Sequence, residues 1–155
     1  MKIRRALSQD IDALLNLHHQ IGKFHFENAP DAFVEPSAAE REFFLRALSD
    51  ESRLFLLAET QDEVVGFITA AITQNQTIPF LVKYPICRIG TIVVDQSKRS
   101  KGVGTQLMSA CQSWAFESGA KQMRLEVISF NQGAQQFYVN LGFENTSHIM
   151  SKQLG

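Results

Sequence analysis

At 155 residues, with 45% apolar and 20% charged side chains and a formal net charge of −1, the chain has the composition of one globular domain, residues 1–155. That balance excludes a general nucleic-acid binder held by a basic face, and no apolar run approaches a membrane span. The N-terminus lacks a signal-peptide core, and Cys87 and Cys111 form no C-x-x-C pair, so a cytoplasmic chain with reduced, packing cysteines is expected.

Ile3 to Leu7 reads as a first strand. Ser8 is placed to cap a helix whose Ile11, Leu14, Leu15, His18 and Ile21 fall on one face, with Gly22 near its end. Lys23 to Pro36 has two prolines and three phenylalanines without a period and reads as an ordered loop. Ser37-Ala38-Ala39-Glu40 is a capping box opening a helix to about Leu48. Leu54–Ala58 and Val64–Thr73 read as strands joined by the polar turn Thr60–Glu63. A connection from Gln74 to Pro85 leads to a fourth strand, Cys87–Val94.

Arg99-Ser100-Lys101-Gly102-Val103-Gly104-Thr105 follows, where the hydrophobic period changes from strand to helix. A strand turning through glycines into a helix gathers unpaired amide N–H groups at one point. The helix dipole, Arg99 and Lys101 add positive charge, a combination suited to a pyrophosphate. The run is neither G-x-G-x-x-G nor a P-loop, and a plain helix-capping turn would carry the same glycines. The helix ends near Gly119, a fifth strand spans Met123–Ile128, and Asn131 opens a short helix through Tyr138 and Leu141, stopped by Gly142. The tail from Phe143 to Leu154 reads as a strand. His18, His19, His25 and His148 form no ligand spacing with the cysteines, so no metal is expected.

Three motifs in this order resemble the GNAT superfamily of acetyl-CoA-dependent N-acetyltransferases. They are Ile92-Val93-Val94-Asp95 with Arg99-x-x-Gly102-x-Gly104, then Leu125-Glu126-Val127 with Asn131 and Phe137-Tyr138, then Leu141-Gly142-Phe143. The resemblance covers roughly residues 87 to 143. It implies a mixed α/β (α+β) fold: a mostly antiparallel central sheet of six to seven strands, helices on both faces, splayed between the fourth and fifth strands. It further implies acetyl-CoA as co-substrate, with the backbone of Ile92, Val93 and Val94 pairing with pantetheine. Arg99 and the amides of Ser100, Lys101, Gly102, Val103, Gly104 and Thr105 would hold the pyrophosphate.

By the same resemblance Asn131 contacts the pantetheine arm, although an N-cap alone would also account for it. Tyr138 matches the general acid that protonates the leaving thiolate; a packed tyrosine is the alternative. The superfamily's usual fourth-strand glutamate is absent, since Gly90 stands there. A second pattern in the superfamily puts the base on the fifth strand, at Glu126, acting through water; the alternative for Glu126 is an ion pair with Arg124.

Phe24, His25 and Phe33 are candidate acceptor-binding residues. Acidic residues between Glu27 and Glu42 are interleaved with or follow them, an arrangement that would attract a cationic amine unless it is simply a solvated surface. The expected activity is acetyl transfer from acetyl-CoA to a primary amine, on a small molecule or a peptide, in a ternary complex. The competing reading is a silent acyl-CoA-binding module. A homodimer is compatible with either.

Overall fold

A computed structural model describes residues 1–155. The elements are β1 (Lys2–Arg5), α1 (Ile11–Asn28), α2 (Ala39–Ser49), β2 (Arg53–Thr60), β3 (Glu63–Thr73), β4 (Ile86–Val94), α3 (Val103–Glu117), β5 (Gln122–Arg124) and α4 (Gln132–Asn140). The five strands form one sheet in the order β1-β2-β3-β4-β5, antiparallel except for the β4–β5 pair. No helix is long and apolar enough to cross a membrane.

Period-two alternation in the strands builds two cores. Leu54, Leu56 and Ala58 of β2 face α3, whose Val103, Leu107, Met108, Cys111 and Ala115 cover that side. Phe55 and Leu57 face the other way, against Ile11, Leu14 and Leu17 of α1 and Phe44 of α2. Two bulges switch the phase. One lies where Ala58 pairs with Gly66 but Glu59 with Val64; the other lies where Thr69 pairs with Thr91 but Ala70 with Ile89, leaving Gly90 as the extra residue. Beyond Gly90 the side facing α3 passes from Cys87 and Ile89 to Ile92 and Val94, while Val93 turns into the α1–α2 core.

Three expectations are corrected. The sheet has five strands rather than six to seven, because Phe143–Leu154 pairs with nothing and is exposed beyond Phe143. Its apolar residues are sparse on both alternating faces, so neither supplies a stripe to bury. The fifth strand stops at Arg124 instead of Ile128, since β4 and β5 pair only from Ile86–Gln122 to Arg88–Arg124 and then diverge. Finally, α1 runs through Gly22 to Asn28, absorbing the first part of the expected loop. Gly22 is a packing glycine: a Cβ there would lie 3.2 Å from Pro36 Cγ.

The caps at Ser37 and Gly142 follow the local sequence, and the one expected at Ser8 does not form. Ser37 N–H donates to Glu40 Oε2 at 2.9 Å, and Ala39 N–H donates to Ser37 Oγ at 3.3 Å. A short 3₁₀ turn, Ser8–Asp10, precedes α1, and there Asp10, not Ser8, accepts the Leu7 N–H at 2.7 Å. At the end of α4, Gly142 adopts φ +98°, its N–H bonds Val139 C=O, and Phe143 N–H bonds Tyr138 C=O, which completes a Schellman motif.

Candidate active site

The site lies where β4 outruns β5. From Ile89 onward β4 keeps β3 on one edge and has no partner on the other, so the Ile92–Val94 backbone borders an opening. Their side chains are spent elsewhere: Val93 is buried toward α1 and α2, Ile92 and Val94 pack toward α3. The expected splay is thus present, and it offers main-chain groups, which is what an added extended chain needs.

The β4–α3 loop begins at Asp95, whose Oδ1 accepts the Ser97 N–H at 2.9 Å. It passes through two left-handed residues, Ser100 at φ +65° and Gly102 at φ +83°. The first intrahelical bond is Gln106 N–H to Gly102 C=O at 3.0 Å. The amides of Val103, Gly104 and Thr105 precede it and point out of the helix end. Nothing lies within 4 Å of the space a Gly102 side chain would fill, whereas a Cβ on Gly104 would come 3.1 Å from Phe137 Cζ. Gly102 is therefore required by its backbone angle, and Gly104 by the approach of α4. Arg99 donates from Nε to Val94 C=O at 3.3 Å, and Lys101 is exposed. Val103 contributes only its amide, since its side chain belongs to the core.

Asn131 caps α4: its Oδ1 accepts the Ala134 N–H at 3.1 Å, leaving the side-chain NH₂ free of that role. Tyr138, two turns along, packs partly buried against the α3 side and lies edge-on to Phe137 and Phe143, with ring centroids 5.4 and 5.9 Å away. Burial raises the phenol above its ordinary value of 10.0, so the side chain holds its proton throughout the neutral range. Glu126 does not meet the expected surroundings. It lies past the end of β5 and is exposed, where a residue within a strand would be half-buried. Nor is it paired with Arg124, whose Nε donates to Gln122 Oε1 at 2.7 Å.

The candidate residues Phe24, His25 and Phe33 meet through the His25 ring and are joined by Phe130, which the sequence reading missed. His25 stacks on Phe33 at 4.5 Å, and Phe24 and His25 meet Phe130 edge-on at 5.3 and 5.9 Å. Its place immediately before the α4 cap is the signal that could have found it. Desolvation, with the nearby His18 second, lowers the His25 pKa, so this imidazole is neutral at pH 7. Two acids of this stretch lie against cations, Glu42 with Arg46 at 2.6 Å and Glu27 3.9 Å from Lys23, and Glu40 meets the His18 ring. No cluster of His, Cys, Asp and Glu suited to a metal ion is present.

Comparison with known proteins places this geometry. The family model described as "Acetyltransferase (GNAT) family" matches residues 16–143. An uncharacterized N-acetyltransferase of Bacillus subtilis, YhfO, is 30% identical over 148 residues, covering 93% of this chain and 90% of its own. An aminoglycoside N(6')-acetyltransferase type 1 of Salmonella typhimurium is 27% identical over 97% of this chain and 96% of its own. Among solved structures, a mutant of the Bacillus halodurans protein BH1408 shares the fold at a TM-score of 0.94, with 24% identity and 99% coverage of both chains. The aminoglycoside acetyltransferase AAC(6')-Iy, solved with a bisubstrate analogue of CoA and an acetylneamine, does so at 0.78, with 21% identity over 99% of this chain and 97% of its own. With a family model over most of its length, a near full-length N-acetyltransferase relative and a sheet splayed beside a glycine-turned helix, the chain belongs to the GNAT acetyltransferase family and is an acyltransferase.

Proposed function

We propose that the protein transfers acetyl from acetyl-CoA to a primary amine of a small molecule, directly and in a ternary complex. The observation that carries this reading is the free edge of β4 leading into the unpaired amides at the start of α3, against which α4, the helix that carries Tyr138, packs through Phe137. The Ile92–Val94 backbone pairs with pantetheine. Arg99 and the amides of residues 100 to 105 take the diphosphate, and the Asn131 side-chain NH₂ orients the arm near the thioester. Similarity to an aminoglycoside acetyltransferase along nearly the whole chain supports a small-molecule acceptor, and similarity to an N-alpha-acetyltransferase over 92% of the chain makes a peptide N-terminus the second arm of the test.

Chemically, the neutral amine attacks the thioester carbonyl and forms the C–N bond. The C–S bond breaks, and the sulfur takes the phenolic proton of Tyr138. The amine's surplus proton leaves through water, with Glu126 as the carboxylate at the solvent end of that path. Phe24, His25 and Phe33 line the acceptor side, where aromatic faces suit a cationic or apolar-flanked amine.

The test is release of CoA thiol from acetyl-CoA across a panel of primary amines. Tyr138→Phe should lower turnover by about two to three orders of magnitude while CoA affinity stays within about twofold. Equal turnover in the variant would remove Tyr138 from the acid role.

A further inference from the structure

Gln20 lies five residues before His25 on α1 and reaches the exit of β4. Its Nε2 donates to Asp95 Oδ2 at 3.0 Å, and its Oε1 accepts the Gln96 N–H at 3.1 Å. One side-chain amide thus holds two consecutive residues at the exit of β4, 75 and 76 positions away in sequence. Using both ends of the amide fixes the loop's orientation as well as its position.

The rest of the loop explains why that matters. Asp95 is tied to β3 through its N–H on Val65 C=O, and it caps the turn that follows through Ser97. At the other end Val103 is anchored in the core. The residues between, including left-handed Ser100 and Gly102, take their course from those two anchors. On the same helix, Phe24 and His25 touch Phe130, next to the cap of α4. The last turns of α1 therefore bridge the splay, gripping the exit of β4 with Gln20 and the approach to α4 with an aromatic pair.

We propose that Gln20 is a positioning residue for acetyl-CoA: it holds the Asp95–Gly102 loop in the course that aims its amides at the diphosphate. It also couples that loop to the helix forming the acceptor wall. This rests on the reading that the loop receives CoA. A partly exposed amide bridge of this kind adds little to global stability, because its hydrogen bonds replace bonds to water and its side chain loses rotamer freedom. Its effect falls on affinity, since a loop left free must be ordered by the ligand at the ligand's expense.

The experiment is calorimetric titration with CoA, which needs no acceptor, alongside thermal unfolding of each variant. Gln20→Ala should raise the CoA Kd about fivefold to tenfold while Tm moves by less than about 3 °C. Gln20→Glu sets a second carboxylate against Asp95 and should bind CoA more weakly still. Combining Gln20→Glu with Asp95→Asn reverses donor and acceptor across the bridge, and the new amide oxygen can still accept from Ser97. That pair should return the Kd to within about twofold of wild type.

Absence of CoA binding by the wild type would overturn the proposed function itself. Wild-type binding with an unchanged Kd in Gln20→Ala overturns the positioning role. So does a paired variant that binds no better than Gln20→Glu, or an affinity loss accompanied by a large fall in Tm.

Discussion

Asp10 is only 9% exposed yet carries a full charge, and three bonds make that tenable. Arg4 grips both its oxygens at 2.9 Å, and the Leu7 N–H adds a third bond at 2.7 Å. The same arginine reaches Glu59 from Nε at 2.7 Å, so one guanidinium locks β1, β2 and the start of α1 together. Hydrogen bonding to Arg4, foremost, holds the Asp10 carboxyl below its ordinary value of 3.8 despite its burial. A carboxyl whose folded value lies below its unfolded one stabilises the fold above the unfolded value and loses that contribution as the pH falls. Asp10→Asn should therefore cost about 1–3 kcal/mol at pH 7, with the gap to wild type narrowing below about pH 4. Denaturant titrations at pH 7 and pH 3 would show this, and an equal gap at both values would refute it.

At the scale of elements, the bulge in β4 decides where chemistry can be done. Thr69 is buried, and its hydroxyl accepts the Thr91 N–H at 3.0 Å. A Cβ on Gly90 would sit 2.9 Å from that same oxygen. The strand position where many GNAT members carry a glutamate thus lacks a carboxylate here and is crowded on one side by the Thr69 hydroxyl. Gly90→Ala should lower stability by about 1 kcal/mol by displacing the Thr69 hydroxyl from the Thr91 N–H, and Gly90→Glu by at least as much without any gain in turnover. Thermal unfolding and the thiol-release assay would check the pair; a Gly90→Glu variant with higher turnover and native Tm would overturn the account. The bulge also sets the face of each residue beyond it, and so sends the Val93 side chain into the α1–α2 core while its backbone borders the opening.

For the whole molecule, the two cores make the sheet rigid from β1 to the lower part of β4, and the opening is left where β5 parts from it. The tail beyond Phe143 adds nothing to either core: Ile149 is 80% exposed and Met150 92%. Deleting residues 145–155 should leave Tm within about 2 °C, since no buried apolar surface is lost. A drop of 10 °C measured by calorimetry would show that these residues pack against the domain. The core itself behaves differently. Leu57, fully buried between β2 and the α1–α2 layer, should cost about 2–5 kcal/mol when replaced by alanine, measured by denaturant titration.

Legible along the chain is whatever a few neighbouring residues can encode. Helix caps at Ser37 and Asn131, left-handed stops at Gly119 and Gly142, the alternation of β2 and the glycine turn into α3 were all legible, because each rests on bonds or angles within about one turn. The motif order also pointed to the family and to Tyr138 beside the opening. Tertiary structure alone decided the rest, for a strand needs a partner that local sequence does not name. It cut β5 to three residues and left the tail unpaired, and it exposed Glu126 where a strand would have half-buried it. It brought Phe130 to Phe24 and His25, set Thr69 against Gly90, and joined Gln20 to Asp95. Those contacts link distant parts of the chain, and only packing of both sheet faces could bring them within bonding distance.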